Sequence, residues 1–242
     1  MTGKPVQTDN GKEIRRIGII AAMEVEMLLL KEQIEDRKTE TIAGTEFYSG
    51  RIGEYEVVLI RCGIGKVSAA LSAQAMILRY QPDCIINTGC AGALARGLEI
   101  GGMVISDATV EWDIDMLAIG LPRGIVTSMN AVKMQADTSL SNWIQTGIPE
   151  DMQLVRGLVV SGDQFISTQQ QRDIILGAFP EAQCAEMEGG AIGHVCAQNG
   201  VPFSVIRCMS DTADGDSEVN FPAFVKEAGK KSAEILMKLL RG

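Results

Sequence analysis

The chain has 242 residues, of which 46% are hydrophobic and 22% are charged, as in soluble globular proteins with a sizeable core. Its net charge of −9 argues against a nucleic-acid surface, which would need clustered Lys and Arg. No stretch reaches the roughly 18 uncharged apolar residues of a membrane span, and residues 1–13 lack the apolar region of a signal peptide. We therefore expect a cytoplasmic protein that binds neither nucleic acid nor membranes, with a disordered tail over 1–13 and one domain over 14–242.

Short apolar runs alternate with amphipathic stretches along the chain, as in βα units. The first run, Arg16–Ala22, predicts a buried strand, and a helix should begin near Glu26. Two alternating runs joined by Gly50–Gly53 predict a hairpin. Gly63–Lys66 lacks the P-loop spacing, so we interpret it as a tight turn into a helix.

The second half of the chain continues the alternation. Asp83–Asn87 predicts a strand, and the small residues Thr88–Ala93 would let a flat ligand approach the backbone, although a glycine turn is the alternative. Residues 111–134 show no clear hydrophobic period, which predicts a long loop, and long loops are often functional. The other predicted strands are Gly102–Thr109, Leu154–Val160 and Pro202–Met209, and the helices are Ser139–Thr146, Thr168–Phe179 and Pro222–Leu240. The order predicts a single α/β domain with a central mixed, largely parallel sheet flanked by helices.

Two carboxylates mark the end of another predicted strand, within the stretch Cys184–Ile192, and glycines after them start a helix. Alternation along an extended backbone would place Glu186 and Glu188 on one side and Met187 on the other. A buried carboxylate without a partner costs several kcal/mol or becomes protonated. The pair is therefore either a structural network or a site that a polar ligand completes.

Acidic residues also follow the first and last predicted strands, at Glu26 and Asp211. Because strand ends converge over an α/β sheet, we expect these carboxylates to meet those of Glu186 and Glu188. Convergent carboxylates suit a ligand with hydroxyls and ring nitrogens, and they permit acid–base chemistry.

Metal and cofactor chemistry has little support in the sequence. The six cysteines lack paired C-x-x-C spacing and are interpreted as small buried side chains in a reducing compartment. The one histidine, His194, is interpreted as a helix residue satisfied by one partner. The turn with Asp214 and Asp216 lacks the EF-hand spacing and is interpreted as solvated. We expect neither a metal nor a cofactor.

Six segments resemble, in chain order, the motifs of bacterial 5′-methylthioadenosine/S-adenosylhomocysteine nucleosidases, members of the purine nucleoside phosphorylase/uridine phosphorylase superfamily. The combination of M-E-x-E, E-M-E and R-x-x-S-D is quite specific, whereas E-M-E alone marks only the superfamily. The resemblance spans residues 17–239. The segments are R-I-G-I-I-A-A-M-E-V-E, C-G-I-G-K-V-S-A-A, I-I-N-T-G-C-A-G-A, R-G-L-V-V-S-G-D-Q-F-I, A-E-M-E-G-G-A-I and V-I-R-C-M-S-D.

The resemblance implies a nucleoside phosphorylase-like fold, a homodimer, and hydrolysis of the N-glycosidic bond of an adenine nucleoside to adenine and a 5-thioribose product. It assigns water activation to Glu26, proton donation at adenine N7 to Asp211 and the ribose hydroxyls to Glu188. A general acid at N7 would contribute a factor of about 10²–10⁴, and Asp211 should be partly buried to serve as one. The other implied substrate-binding residues are Cys90, Ala91, Gly92, Phe165, Ile166, Glu186, Met187 and Ser210. Of these, Ile166 would bind through its backbone, and Glu186 would have a supporting role.

The chain departs from the family pattern at several positions. Cys90 replaces a serine and Trp112 a histidine, while Ile119 and Leu121 stand where aromatic residues of a neighbouring subunit often cover the 5′ group. The preferred 5′ substituent is therefore open.

Two other functions stay open on the sequence. The first is a nucleoside phosphorylase, with Arg61, Arg96 and Arg207 as potential phosphate ligands, or a nucleosidase for an aminofutalosine-type compound. The second is a catalytically silent nucleoside-binding protein on the same fold. The acids of M-E-V-E would repel phosphate, and the presence of Glu26, Asp211 and Glu188 together argues against a silent protein.

Overall fold

Strands and helices alternate through the computed structural model, which describes residues 6–212 and 217–242, without the side chains of 217–220. Asp214 and Asp216 of the predicted solvated turn lie outside the described residues. The strands are β1 (Arg16–Ala21), β2 (Glu35–Ile42), β3 (Thr45–Ile52), β4 (Tyr55–Arg61), β5 (Cys84–Ala93), β6 (Met103–Glu111), β7 (Met134–Gln135), β8 (Leu154–Ser161), β9 (Ala182–Glu186) and β10 (Phe203–Asp211). The helices are α1 (Glu24–Glu32), α2 (Lys66–Tyr80), α3 (Thr138–Gln145), α4 (Gln169–Ala178), α5 (Gly189–Asn199) and α6 (Ser217–Arg241).

The strands form one mixed sheet with a closed circuit, in which β5 pairs with β10 and β9, and β6 and β8 complete the ring. Strands β1, β4, β3 and β2 extend from β5 as an open sheet. The prediction of a mixed, largely parallel sheet is confirmed, because the parallel ladders are the longer ones and hold most of the paired residues. The antiparallel pairs are β2–β3, β3–β4, β5–β9, β6–β7 and β6–β10, as many as the parallel ones.

Helices cover both faces, as predicted. On one face, side chains of α1, α3 and α6 share one apolar core with Ile17 and Ile19 of β1. On the other, α2 and α5 pack on Ile20 and on Ile85 of β5. Because alternate residues of β1 enter opposite cores, the strand is buried on both sides and reads as a continuous apolar run. Within the described part of the chain, no helix has the length and apolar character to cross a membrane.

Strand β5 is longer than predicted. The alternative of a glycine turn at Thr88–Ala93 is wrong, because these residues continue the strand and pair with β10 as far as Gly92 and Asp211. The hairpin is confirmed, but its turn lies at Gly53, with φ of +58°, and not across Gly50–Gly53. The small side chains of β5 allow the neighbouring strands to pack closely against it. Because small residues are also common in turns, this part of the strand resembles a turn in the sequence.

The N-terminal segment is folded from residue 6 onward, so the prediction of a disordered tail over 1–13 is wrong for 6–13. The Asp9 carboxylate accepts the N–H groups of Thr138 at 2.7 Å and Ser139 at 2.8 Å, which begin α3. Thr8 is buried beside it. A helix leaves its first N–H groups without partners in the helix, and Asp9 supplies acceptors from a distant part of the chain.

Candidate active site

A cavity of about 330 Å³, the active-site cavity, lies where β1, β5, β9 and β10 end. Each predicted site residue except Ile166 lines it; the Ile166 side chain is instead buried in the core beside β8. The lining residues are Ala22, Met23, Glu26, Ile64, Cys90, Ala91, Gly92, Phe165, Ala185, Glu186, Met187, Glu188, Ser210, Asp211 and Phe221.

The Glu26 carboxylate is held in the first turn of α1 and is only 2% exposed. Its Oε2 accepts the N–H groups of Ala22 at 2.9 Å and Met23 at 2.8 Å, and its Oε1 accepts that of Cys90 at 3.1 Å. Burial raises the pKa of Glu26, whereas the Arg207 charge and the N–H groups favour the ionised form. The carboxylate is thus fixed across the ends of β1 and β5.

Two neighbouring residues of β5 shape the Glu26 site. The Cys90 Sγ lies 3.5 Å from Glu26 Oε1 and donates to it. Burial and the Glu26 charge raise the pKa of the Cys90 thiol, so it stays a protonated, weak donor. At Gly89, a Cβ would lie 2.7 Å from Glu26 Oε1, so the missing side chain makes room for the carboxylate.

The Glu186 carboxylate turns back onto the helix that follows it. Its Oε2 accepts the N–H groups of Glu188 at 3.0 Å and Gly189 at 2.7 Å, and its Oε1 accepts the Ser161 hydroxyl. The predicted placement of Glu186 and Glu188 on one side and Met187 on the other is wrong, since all three line the cavity. Strand β9 ends at Glu186 and α5 begins at Gly189, so the alternation of an extended backbone no longer applies to Met187 and Glu188.

Arg207 is a buried cation behind the carboxylates, with its side chain 1% exposed. It donates through Nη2 to the Glu186 carboxylate and, at 2.5 Å, to Asn87 Oδ1. Burial disfavours this charge, but the attraction of the carboxylates outweighs it and raises the pKa of Arg207. A buried ion pair needs such additional hydrogen bonds to offset its desolvation.

Glu188 occupies the position before α5 and is 5% exposed. Its Oε1 accepts the N–H of Gly65 at 2.9 Å, at the start of α2, and its Oε2 lies 3.9 Å from Arg207 Nη2. Burial and the neighbouring charge of Glu186 raise the pKa of Glu188 to about 8, against the attraction of Arg207. Glu188 thus brings a carboxyl group of unusual basicity to the cavity.

Asp211 ends β10 and is 2% exposed, which confirms the predicted burial. The Ser210 hydroxyl lies 3.0 Å from Asp211 Oδ2 and 3.4 Å from the carbonyl oxygen of Ala91. A hydroxyl has a single proton, so Ser210 donates to only one of these two oxygens at a time.

Apolar side chains form the remaining walls. Phe165 is 42% exposed and meets Phe221 of α6 edge to face, with ring centroids 5.2 Å apart. Met23, Ile64 and Met187 complete this lining. Aromatic and thioether groups against carboxylates suit a ligand with a flat ring, a polar centre and an apolar end.

Sequence reasoning missed five lining residues, namely Ala22, Met23, Ile64, Ala185 and Phe221. Met23 and Ile64 belong to the motifs M-E-V-E and C-G-I-G-K that carry the family resemblance. Their place in these motifs could have indicated that they line the site. Phe221 lies on α6, in a segment without a motif, and only the fold brings it to the cavity.

A polar network holds the loop that carries Gly65. The Lys66 ammonium lies 2.6 Å from Asp113 Oδ1 and 3.3 Å from Glu111 Oε2, and the Lys66 N–H donates to Asp163 Oδ1 at 2.8 Å. Glu111 Oε1 lies 2.8 Å from His194 Nδ1, which confirms the interpretation of that histidine as satisfied by a partner. The network fixes the start of α2 against the ends of β6 and β8.

The sequence matches the family model described as the phosphorylase superfamily over residues 16–241. It is 43% identical over 226 residues to the 5′-methylthioadenosine/S-adenosylhomocysteine nucleosidase of Staphylococcus carnosus, covering 93% of this chain and 99% of that protein. The Neisseria meningitidis nucleosidase of the same name, solved with methylthio-immucillin-A, aligns with a TM-score of 0.91 at 34% identity, over 94% of this chain and 99% of that one. The Colwellia psychrerythraea nucleosidase, solved with adenine, aligns with a TM-score of 0.90 at 33% identity, over 94% and 95%.

Proposed function

The chain belongs to the 5′-methylthioadenosine/S-adenosylhomocysteine nucleosidase family of the phosphorylase superfamily, and we propose that it hydrolyses the N-glycosidic bond of both compounds to adenine and a 5-thioribose product. The expected nucleoside phosphorylase-like fold is confirmed by the structural similarity. One observation carries the proposal: Glu26, Glu188 and Asp211 line a single cavity together with the apolar groups that a nucleoside needs.

In the proposed reaction, Asp211 and Glu26 act on opposite sides of the scissile bond. Water held by Glu26 attacks C1′ and the C1′–N9 bond breaks. Glu26 takes a proton from the water, and Asp211 gives its proton to N7, so that adenine leaves as a neutral molecule. This division of labour between two carboxyl groups follows the logic of inverting glycosidases.

The ribose is assigned to Glu188. Its carboxyl group faces the cavity beside Met187, and it would hydrogen-bond the ribose hydroxyls while C1′ gains positive character. Glu186 has its oxygens engaged by Ser161, Arg207 and the start of α5, so it supports the site and leaves the hydroxyls to Glu188.

The charges around the cavity support water and not phosphate as the nucleophile. Among the described residues the lining contains four carboxyl groups and no Lys or Arg. The Nη atoms of Arg207 donate to Asn87 and Glu186, and Arg61 and Arg96 are exposed outside the lining. A phosphate dianion would therefore face carboxylates without an adjacent cation.

We further propose a cytoplasmic homodimer. The six cysteines are free thiols, which suits a reducing compartment. An apolar stripe on α2, the α2 stripe, is exposed at Val67, Leu71 and Leu78, and Ile64, just before the helix, extends it. An exposed apolar stripe of this kind is typical of a protein interface, and Ile64 belongs to the active-site cavity as well.

Adenine release from 5′-methylthioadenosine, with and without phosphate, tests the proposed reaction. We expect equal rates in both conditions, a free sugar and not its 1-phosphate, and a loss of about 10²-fold or more in Asp211→Asn and Glu26→Gln. The exposed Asp151→Asn is the matched control. Wild-type turnover in Asp211→Asn would contradict the assignment of the acid, and a requirement for phosphate would make the protein a phosphorylase. Tight nucleoside binding without turnover would make it a silent binding protein.

A further inference from the structure

A second cavity, of about 940 Å³, lies beside the active-site cavity, between the start of α1 and the hairpin of β3 and β4. Ala22, Met23 and Ile64 line both cavities. Ile64 directly precedes Gly65, whose N–H holds the Glu188 carboxylate. If Glu188 binds the ribose, as proposed above, a substituent of the ribose that passes Ile64 enters the second cavity.

The second cavity carries two charges of each sign, at Glu24, Glu46, Lys31 and Arg61. The Glu24 carboxylate lies 3.7 Å from Lys31 Nζ and 3.8 Å from Arg61 Nη1. Both distances exceed those of direct hydrogen bonds, about 2.7–3.2 Å, so the Glu24 carboxylate attracts both cations but forms a hydrogen bond with neither of them. The Arg61 side chain is 57% exposed and that of Glu24 44%, which leaves both accessible to a ligand.

The other two charges are more firmly engaged. The Tyr48 hydroxyl donates to Glu46 at 2.5 Å. The Lys31 ammonium lies 4.2 Å from the centroid of the Tyr48 ring, a cation–π contact. The groups of this cavity that are free to rearrange around a ligand are therefore Arg61 and Glu24.

We propose that the second cavity binds the α-amino acid end of a 5′-thio substituent, with Arg61 on its carboxylate and Glu24 on its ammonium group. The inference rests on the proposed function and adds to it a preference for one class of 5′ substituent. An α-amino acid carries one charge of each sign on the same carbon, which matches a cation and an anion 3.8 Å apart. Arginine presents parallel N–H donors that fit a carboxylate. A methylthio group carries no charge for either residue, so the site favours the homocysteinyl compound.

The test compares three adenine nucleosides with methylthio, butylthio and homocysteinyl groups at the 5′ position, scored by kcat/KM for adenine release. Butylthio matches the carbon chain of homocysteinyl without its charges. In Arg61→Gln we expect the homocysteinyl-to-butylthio ratio of kcat/KM to fall about ten-fold, as for one charge-assisted hydrogen bond, and to fall likewise in Glu24→Gln. Arg79→Gln is the matched control, since its side chain is 58% exposed and pairs with Glu40 away from both cavities.

The wild-type protein supplies an independent measurement should a variant fail to fold. Raising the ionic strength should lower kcat/KM for the homocysteinyl compound more than for the butylthio compound, because salt screens exposed charges. A ratio unchanged within about two-fold in both variants, or equal salt dependence of the two compounds, overturns the inference and leaves the proposed function intact. Absence of adenine release from all three compounds overturns both.

Discussion

The missing side chain at Gly89 makes room for the Glu26 carboxylate, so adding a single Cβ at this position should disturb the carboxylate. In Gly89→Ala, the Cβ would lie 2.7 Å from Glu26 Oε1, so the carboxylate has to move. Because its oxygens accept N–H groups of Ala22, Met23 and Cys90, a shift breaks some of these bonds. We expect kcat to fall by about 10²-fold, since misplacement of a catalytic group by about 1 Å costs that much.

The control for Gly89→Ala is Gly177→Ala, in α4, where a Cβ meets no atom within 4 Å. Alanine favours a helix over glycine by up to about 1 kcal/mol, so this variant should keep its activity and become slightly more stable. Steady-state kinetics and thermal unfolding of both variants check the pair. Full activity in Gly89→Ala would show that Glu26 does not need its observed position.

The raised pKa of Glu188 predicts how the stability of the folded protein depends on pH. Burial raises its pKa from 4.5 in the unfolded chain to about 8 in the folded, ligand-free protein. A carboxyl group with a raised pKa contributes stability that is full below about pH 4.5 and lost as the pH rises through 8. In Glu188→Gln this loss disappears, so the variant should gain stability relative to the wild type between pH 5 and 9.

The expected gain is on the order of 1 kcal/mol or more at pH 9, because each unit of pKa shift corresponds to about 1.4 kcal/mol. Chemical unfolding across the pH range measures it, with the exposed Glu150→Gln as the control that should follow the wild type. A gain that is the same at pH 5 and pH 9 would show that the Glu188 carboxyl does not change protonation in this range.

At the residue scale, the sequence identified Glu26, Glu188 and Asp211 because a carboxylate after a buried strand needs a partner. The alternation of residues did not separate Glu186 from Glu188, since the difference lies in where the backbone stops being extended. The family resemblance alone assigned the ribose to Glu188 and left Glu186 in a supporting role. The hydrogen bonds from the start of α5 decide that Glu186 turns inward. Phe221 was out of reach because the contact with Phe165 spans 56 positions and depends on where α6 docks.

At the scale of elements, the start of α2 is the part of the scaffold on which Glu188 depends. Burial opposes the Lys66 charge, but Asp113 and Glu111 outweigh it and raise the pKa of Lys66. In Lys66→Met these acids lose their cation and the loop bearing Gly65 loses an anchor. We expect a loss of about 1–2 kcal/mol in stability, between the values for exposed and buried pairs, and a rise in KM larger than the fall in kcat.

Lys230→Met is the control for the α2 anchor, because Lys230 forms an exposed pair with Glu234 at 3.5 Å within α6. Pairs of this kind contribute about 0.2–0.5 kcal/mol, so stability and KM should scarcely change. Thermal unfolding and Michaelis–Menten kinetics measure both quantities. An unchanged KM in Lys66→Met would mean that the network does not position Glu188.

Elements with an apolar period were predictable, whereas β2 was not. Most of its residues are exposed and charged, because it is an edge strand that packs little against the core. Its position comes from pairing with β3, and such backbone pairing leaves no hydrophobic pattern. The end of β5 was misread for a related reason, since its small residues are selected by close packing between strands.

At the scale of the whole molecule, the direction of the strands explains why the carboxyl groups meet. We expected parallel strands to bring their carboxyl ends to one edge, but β9 is antiparallel to β5. The two strands overlap only at Gly92–Ala93 and Cys184–Ala185, near the carboxyl end of each. Their ends therefore meet from opposite directions, and the predicted convergence holds for a reason that the sequence did not reveal.

The proposed homodimer would bury the α2 stripe between its two subunits. In the α2 stripe, Val67 is 72% and Leu71 60% exposed, and they lie one helical turn apart. In a two-fold symmetric interface, each substitution enters twice, so Val67→Glu with Leu71→Glu places four carboxylates in an apolar contact. Burying charges without partners costs several kcal/mol, so we expect the dimer to dissociate at micromolar concentrations where the wild type does not.

Sedimentation velocity distinguishes dimer from monomer, and Ile174→Glu, at an apolar position of α4 that is 46% exposed, is the control that should remain a dimer. Because Ile64 lines the active-site cavity and extends the same stripe, loss of the partner should also raise KM for methylthioadenosine. A dimer that survives both charges on α2 would place the interface on another face. It would also remove the reason to link assembly with the end of the cavity at Ile64.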